Sequence, residues 1–146
     1  MPKTLLGITV IALTLLALAP AAMSRESLAP TLTAKSSSYG RVLFDGRGFV
    51  LYAFTRDPRG RSVCSGACAK AWPPYLVSRA PRSAAGVKRA LLGTTRRSDG
   101  KIQVTYAGRP LYYYVGDRSP GQILCQDVSE FGGLWLVVRP TGSPVR

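Results

Sequence analysis

The sequence predicts a mainly β fold: two pseudo-symmetric antiparallel β-hairpin repeats forming one small domain, with one short helix. Three observations lead there. A stretch of apolar and β-favouring residues recurs at a fixed spacing of sixty residues. Each recurrence alternates strand-forming runs with Asp, Gly and Pro turn residues. Helical periodicity surfaces only between the two copies, at Val87, Ala90 and Leu91 before Gly93, which predicts the short helix.

The repeat is read by aligning Gly40 to Asp57 with Gly100 to Asp117. Gly40/Gly100, Gly48/Gly108, Leu51/Leu111, Tyr52/Tyr112 and Asp57/Asp117 are identical without a gap, and Arg41/Lys101, Val42/Ile102 and Phe54/Tyr114 are similar. In the first copy Val42-Leu43-Phe44 is a short strand, Asp45-Gly46-Arg47-Gly48 a turn, and Phe49 to Phe54 the returning strand. In the second, Ile102, Val104 and Tyr106 alternate with polar residues, Ala107-Gly108 turns the chain, and Leu111 to Val115 returns. Asp57-Pro58-Arg59-Gly60 and the run Asp117 to Gly121 close the hairpins with turn chemistry. Trp72 and Trp135 follow their aspartates by 15 and 18 residues and introduce further strands at Tyr75-Leu76-Val77 and Leu134 to Val138.

The ends frame this unit. Lys3, an apolar run from Leu5 to Ala19 and the small residues Ala19 and Ala21 read as a cleavable signal peptide over residues 1–21. The run is short for a transmembrane helix. Residues 22–38, rich in Ser, Thr, Ala and Pro, read as a flexible linker. The two-repeat domain is then placed at 39–142, with repeat 1 about 39–78 and repeat 2 about 98–140, and residues 143–146 are a tail. The expected location is exported: periplasmic, cell-surface or secreted.

Composition narrows the chemistry. Histidine is absent, which removes Ser-His-Asp and Cys-His catalysis, His-ligated metals and His-ligated haem. No cofactor, no metal and no catalytic residue is expected. The formal net charge is +13 and the pI about 10.4. Export and the scattering of the basic residues argue against nucleic acid. They leave an anionic envelope polymer or lipid headgroups as electrostatic partners, or a basic surface without a dedicated one. Arg96, Arg97 and Arg109, with Tyr113 on the face opposite its neighbours, are the candidate binding surface.

Cys64 and Cys68 lie four apart around Gly66, close enough for a disulfide in an oxidising compartment. Such a bridge is read as a staple, with a redox-active loop as the alternative. Cys125 is left as the odd thiol. Asp57 and Asp117 read as turn and capping residues rather than paired acids. Tyr52/Phe54 and Tyr112/Tyr114, with the two tryptophans, read as core, the alternatives being an aromatic groove or an electron-hopping chain.

Tyr52-Ala53-Phe54-Thr55-Arg56-Asp57 and Tyr112-Tyr113-Tyr114-Val115-Gly116-Asp117 both fit Tyr-x-(Phe/Trp/Tyr)-x-x-Asp. With Cys64 to Pro74, Gln103 to Tyr112 and Gly133-Leu134-Trp135, the chain resembles a group of bacterial secreted-repeat proteins and predicted lipoproteins that carry this pattern. The resemblance spans roughly Tyr39 to Gly142 and implies an exported domain, with no established activity to transfer. The chain departs from the pattern in three ways. It lacks a lipid-attachment cysteine, Arg109 stands where many relatives have histidine, and Cys125 falls in a loop usually rich in Gly and Asn. The expected function is a non-catalytic envelope or secreted binding domain. The alternatives are a redox or electron-transfer accessory working through Cys64/Cys68 or a bound cofactor, and a structural or adhesive repeat.

Overall fold

Two hairpins of one design open the two copies of the motif. The computed structural model describes residues 30–146, so the signal segment and the first part of the linker lie outside the described residues. In the first copy, β1 (Thr31–Ser37) pairs antiparallel with β2 (Gly40–Asp45). In the second, β5 (Leu92–Arg96) pairs with β6 (Ile102–Tyr106) in the same way. Both turns place a glycine in the left-handed region, Gly40 and Gly100 each at φ +81°, where a side chain would be strained.

The remaining elements are short. They are β3 (Tyr52–Phe54), the single α-helix α1 (Ala67–Ala71), β4 (Arg82–Ser83), β7 (Arg109–Pro110), β8 (Val128–Glu130) and β9 (Gly133–Val137). They make three three-stranded sheets, ordered β2-β1-β4, β5-β6-β7 and β3-β9-β8. The architecture is mainly β with two repeats.

Several expectations need correction. Thr31–Ser37 is a strand rather than linker, with Leu32 and Ala34 buried against the core. The helix sits inside the first copy at Ala67–Ala71, and the helical structure between the copies is a 3-10 turn, Arg89–Leu91. Phe49 to Phe54 is a strand only over its last three residues. Tyr75 to Val77 and Leu111 to Val115 are extended but form isolated bridges instead of strands. The end of the chain is no free tail, because Val145 is buried and its amide donates to the Val137 carbonyl at 2.9 Å.

The two copies are interlocked rather than side by side. Tyr52 and Tyr112 exchange both backbone hydrogen bonds at 2.9 Å, which puts a pseudo-two-fold axis between them. Around that axis each copy lends its tryptophan segment to the other. Tyr52, Ala53 and Phe54 of β3 face Val137, Leu136 and Trp135 of β9. In the mirror arrangement Tyr112 bridges to Pro74, and the amides of Tyr113 and Val115 donate to Pro73 and Ala71. The hairpins follow suit: the Leu43 amide donates to Val138, while that of Val104 donates to Tyr75.

The gapless alignment slips once. The Leu51 amide donates to Leu43 in the first copy, and the Leu111 amide donates to Val104 in the second. Those acceptors are 61 apart while the donors are 60 apart. An extra residue at the Gly100-Lys101 corner enters before β6, and a shorter following turn takes it out again. The partner of Leu43 is therefore Val104, and both belong to the core cluster that also holds Leu51 and Leu111.

Candidate functional site

The motif residues converge on the axis. Tyr52 donates its hydroxyl to Asp117 Oδ2 at 2.7 Å, and Tyr112 donates to Asp57 Oδ2 at 2.6 Å. Each tyrosine thus serves the aspartate of the other copy. The other oxygen of each carboxylate holds its own loop: Asp57 Oδ1 accepts the Val63 amide and Asp117 Oδ1 the Leu124 amide. The aspartates thus accept hydrogen bonds across the copies as well as within their own loops. Burial raises both their pKa values, opposed by the hydrogen bonds they accept. Burial likewise raises those of Tyr52 and Tyr112, reinforced by the adjacent carboxylates.

Between the tyrosines the two tryptophans stack, ring centroids 4.0 Å apart and 3° from parallel. Phe54 stacks on Trp135, Tyr114 tilts against Trp72, and all of them belong to one cluster with the three cysteines. Cys64 and Cys68 are joined, their Cα atoms 5.3 Å apart, at the start of α1. Cys125 is free and buried. It follows Leu124 as Cys64 follows Val63, so it is the counterpart of Cys64 in the second copy, whose hairpin β8–β9 replaces the helix that supplies Cys68. A 61-residue offset was the signal for this in the sequence, and the gapless alignment hid it.

The candidate surface residues separate. Arg97 is not on the surface. It is buried, donating to Ser62 Oγ at 2.8 Å, Gln103 Oε1 at 2.6 Å and the Cys64 carbonyl at 2.6 Å, with Asp99 3.9 Å from Nε. The Ser62 hydroxyl lies 2.6 Å from that of Tyr112 and donates to it, since the phenol gives its one proton to Asp57, so the guanidinium joins the motif network to the disulfide loop. Arg96 is exposed and donates to the Gly100 carbonyl. Arg109 is half-buried, donates to the Gly142 carbonyl and lies near Arg59 and Arg146. Burial and these two like charges lower its pKa.

Tyr113 is half-buried rather than an exposed ring, and it lines a cleft. Its hydroxyl donates to Asp45 Oδ2 at 3.1 Å, and its ring lies 5.3 Å from that of Tyr75. Arg47 Nε donates to the same Asp45 oxygen at 2.8 Å, with its guanidinium 5.6 Å from the Tyr113 ring centre. With Pro73 and Pro74 these residues line a cleft of about 680 Å³. Burial and Asp45 raise the pKa of Tyr113, and burial pushes that of Tyr75 up to about 12. The pseudo-symmetric place in the first copy is closed by Ala53 and Leu136, both buried. Residues of both copies line the cleft, Asp45, Arg47 and Tyr75 from the first and Tyr113 from the second. Among the described residues no three His, Cys, Asp or Glu side chains gather to hold a metal.

A family model described as a secreted repeat of unknown function matches residues 33–75 and 93–139, more than half the chain. The chain belongs to that family. The two matched segments open inside β1 and at β5 and so follow the two copies, each with its tyrosine motif. As a member of the secreted-repeat family it is an exported protein of two repeats, and among the described residues no helix is long and apolar enough to cross a membrane. No curated protein and no solved structure matches it.

Proposed function

We propose that this secreted-repeat protein is a non-catalytic binding domain for an anionic polymer of the cell envelope. The observation that carries the reading is where the fold spends its carboxylates. Asp45, Asp57 and Asp117 are turned to internal hydrogen bonds. Arg47 pairs with Asp45, and Arg97 and Lys101 with Asp99. Exposed cations such as Arg59, Arg61 and Arg96 form no ion pair among the described residues. Burial lowers the pKa of Arg109, and the neighbouring charges of Arg59 and Arg146 lower it further. Unpaired surface cations attract a polyanion through the summed field rather than through one pocket. The Tyr113 cleft adds a ring-lined groove whose edge carries Arg47, suited to a sugar or polyol unit bearing an acidic group.

The test is binding of the full exported chain to a polyol-phosphate polymer, with neutral dextran as control. Affinity should be weak and fall steeply with salt, since exposed charges are screened over about 10 Å at 0.1 M. Arg109→Ala should lower it modestly because many cations share the attraction, and Tyr113→Ala should lower it further if the cleft seats a unit of the polymer. Salt-insensitive binding, or none to the polyanion at low salt, would remove the proposal.

A further inference from the structure

The aromatic rings at the pseudo-two-fold axis form a connected path with a proton acceptor at each end. Trp72 and Trp135 are the only tryptophans of the chain, and they stack face to face at 4.0 Å. Tyr52 meets Trp72 edge-on at 5.2 Å, and Tyr112 meets Trp135 edge-on at 5.1 Å. All four rings are fully buried. Tyr52 ends on Asp117 and Tyr112 on Asp57, at 2.7 and 2.6 Å. At one edge the path reaches solvent, because Trp72 Nε1 donates to the exposed Glu130 Oε2 at 2.8 Å.

A phenol gives up an electron readily only when its proton has somewhere to go, since an oxidised phenol is a strong acid. Most buried tyrosines bond to a carbonyl or to nothing basic. Both of these bond to a carboxylate, at distances suited to proton transfer. Packing alone would be served by phenylalanine at either position, and the carboxylates would then need other donors.

We propose that Asp117, Tyr52, Trp72, Trp135, Tyr112 and Asp57 form a relay for an electron vacancy. The oxidant is external: a one-electron oxidant such as an oxidising radical or a high-potential metal complex at the surface. It takes one electron from Trp72, whose Nε1 proton passes to Glu130. An electron then moves from the Tyr52 phenol to the indolyl radical. The phenol proton passes to Asp117 Oδ2 as Glu130 returns its proton to Nε1. A neutral phenoxyl radical, a protonated Asp117 and a closed-shell indole remain, with the oxidant reduced by one electron. The second branch runs through Trp135, Tyr112 and Asp57. A thiol-class one-electron donor resets either branch, supplying an electron to the phenoxyl while the carboxyl returns its proton. Tyr114 is a built-in control: its ring lies 4.8 Å from Trp72, but its hydroxyl meets the Cys125 thiol instead of a carboxylate. The relay requires neither the polyanion nor the Tyr113 cleft.

The experiment is photoionisation of the indoles in the full chain, following the indolyl and phenoxyl absorption bands in time. In the wild type the phenoxyl band should rise as the indolyl band decays, and more slowly in heavy water. In Tyr52→Phe/Tyr112→Phe the indolyl radical should persist at least about tenfold longer, the effect of roughly 1.4 kcal/mol in barrier. Asp57→Asn/Asp117→Asn should lose phenoxyl formation to a similar degree, and Tyr114→Phe should leave it unchanged. The near-ultraviolet circular dichroism of the stacked indoles reports whether each variant keeps its core. Should a double variant lose that signal, the single Tyr→Phe variants and the wild-type isotope effect decide. Indolyl decay at the wild-type rate without the two hydroxyls, phenoxyl formation that ignores the Asn substitutions, or the absence of a heavy-water effect would each overturn the relay.

Discussion

Removing one hydroxyl from the axis tests whether the exchanged tyrosine–aspartate bonds hold the two copies together. Tyr52→Phe keeps the ring and its edge contact with Trp72 while deleting the donor to Asp117. Asp117 is 8% exposed, and its other hydrogen bond comes from the Leu124 amide on the other oxygen. A hydrogen bond to a charged group contributes about 1.5–3 kcal/mol, and here its loss strands part of a buried carboxylate. A cost of about 2 kcal/mol is expected, which lowers Tm by roughly 8 °C for a domain of this size. Tyr112→Phe should cost less, because Asp57 is less buried. The tyrosines also share a backbone bridge, so the double variant should depart from additivity by about 0.5 kcal/mol or more. Urea unfolding followed by tryptophan fluorescence measures all four corners of the cycle. If Tyr52→Phe costs under about 0.5 kcal/mol, the range of ordinary surface changes, the exchange is incidental to stability and the reasoning fails.

Arg97→Leu should destabilise by about 3 kcal/mol, since Ser62, Gln103 and the Cys64 carbonyl lose a buried charged donor, and thermal melting would read it; Arg96→Leu should change little. Burial raises the pKa values of Asp57 and Asp117 above the ordinary carboxyl range, so the folded state holds their protons more readily than the unfolded chain does. Their contribution is therefore fully present below the unfolded pKa and is lost as pH rises through the folded one. Melting across that window should show wild-type stability gaining on Asp57→Asn/Asp117→Asn as pH falls, and the opposite slope would contradict the assigned burial. Non-reducing peptide mapping should return Cys64 joined to Cys68 with Cys125 free, and a bridge to Cys125 would overturn that pairing. Two pieces made by cutting the chain between Pro81 and Gly86 should show no cooperative melt when heated separately, and a cooperative melt from either would refute the shared core.

The repeat and the β class were legible because they rest on side-chain identity at fixed spacing. Identity between Tyr52 and Tyr112 survives any local slip, and so did the resemblance built on it. Strand β1 was not legible, because its inward face amounts to Leu32 and Ala34 amid Ser, Thr and Lys, too weak an alternation to tell from a linker. Arg97 was misplaced for a related reason. A basic pair at a turn reads as surface, and only the fold reveals that its neighbours Ser62 and the Cys64 carbonyl arrive from another segment. Tyr113 was given the correct face, but that face meets Tyr75 and Asp45, which are distant in sequence and arrive only through the exchange of tryptophan segments. The helix moved because the disulfide loop, with Cys68 buried on α1, stabilises a single turn that carries almost no periodicity of its own.

The interlocking also governs how the chain responds to dilution. Each copy completes its core with strands from the other, so two unlinked copies would associate as a bimolecular reaction whose folded fraction depends on concentration. The segment joining Tyr75 to β5 makes that encounter intramolecular, and a short tether supplies a local concentration in the millimolar range. An exported protein is diluted without limit once it leaves the cell, and a covalently joined pair keeps the same folded fraction however far it spreads.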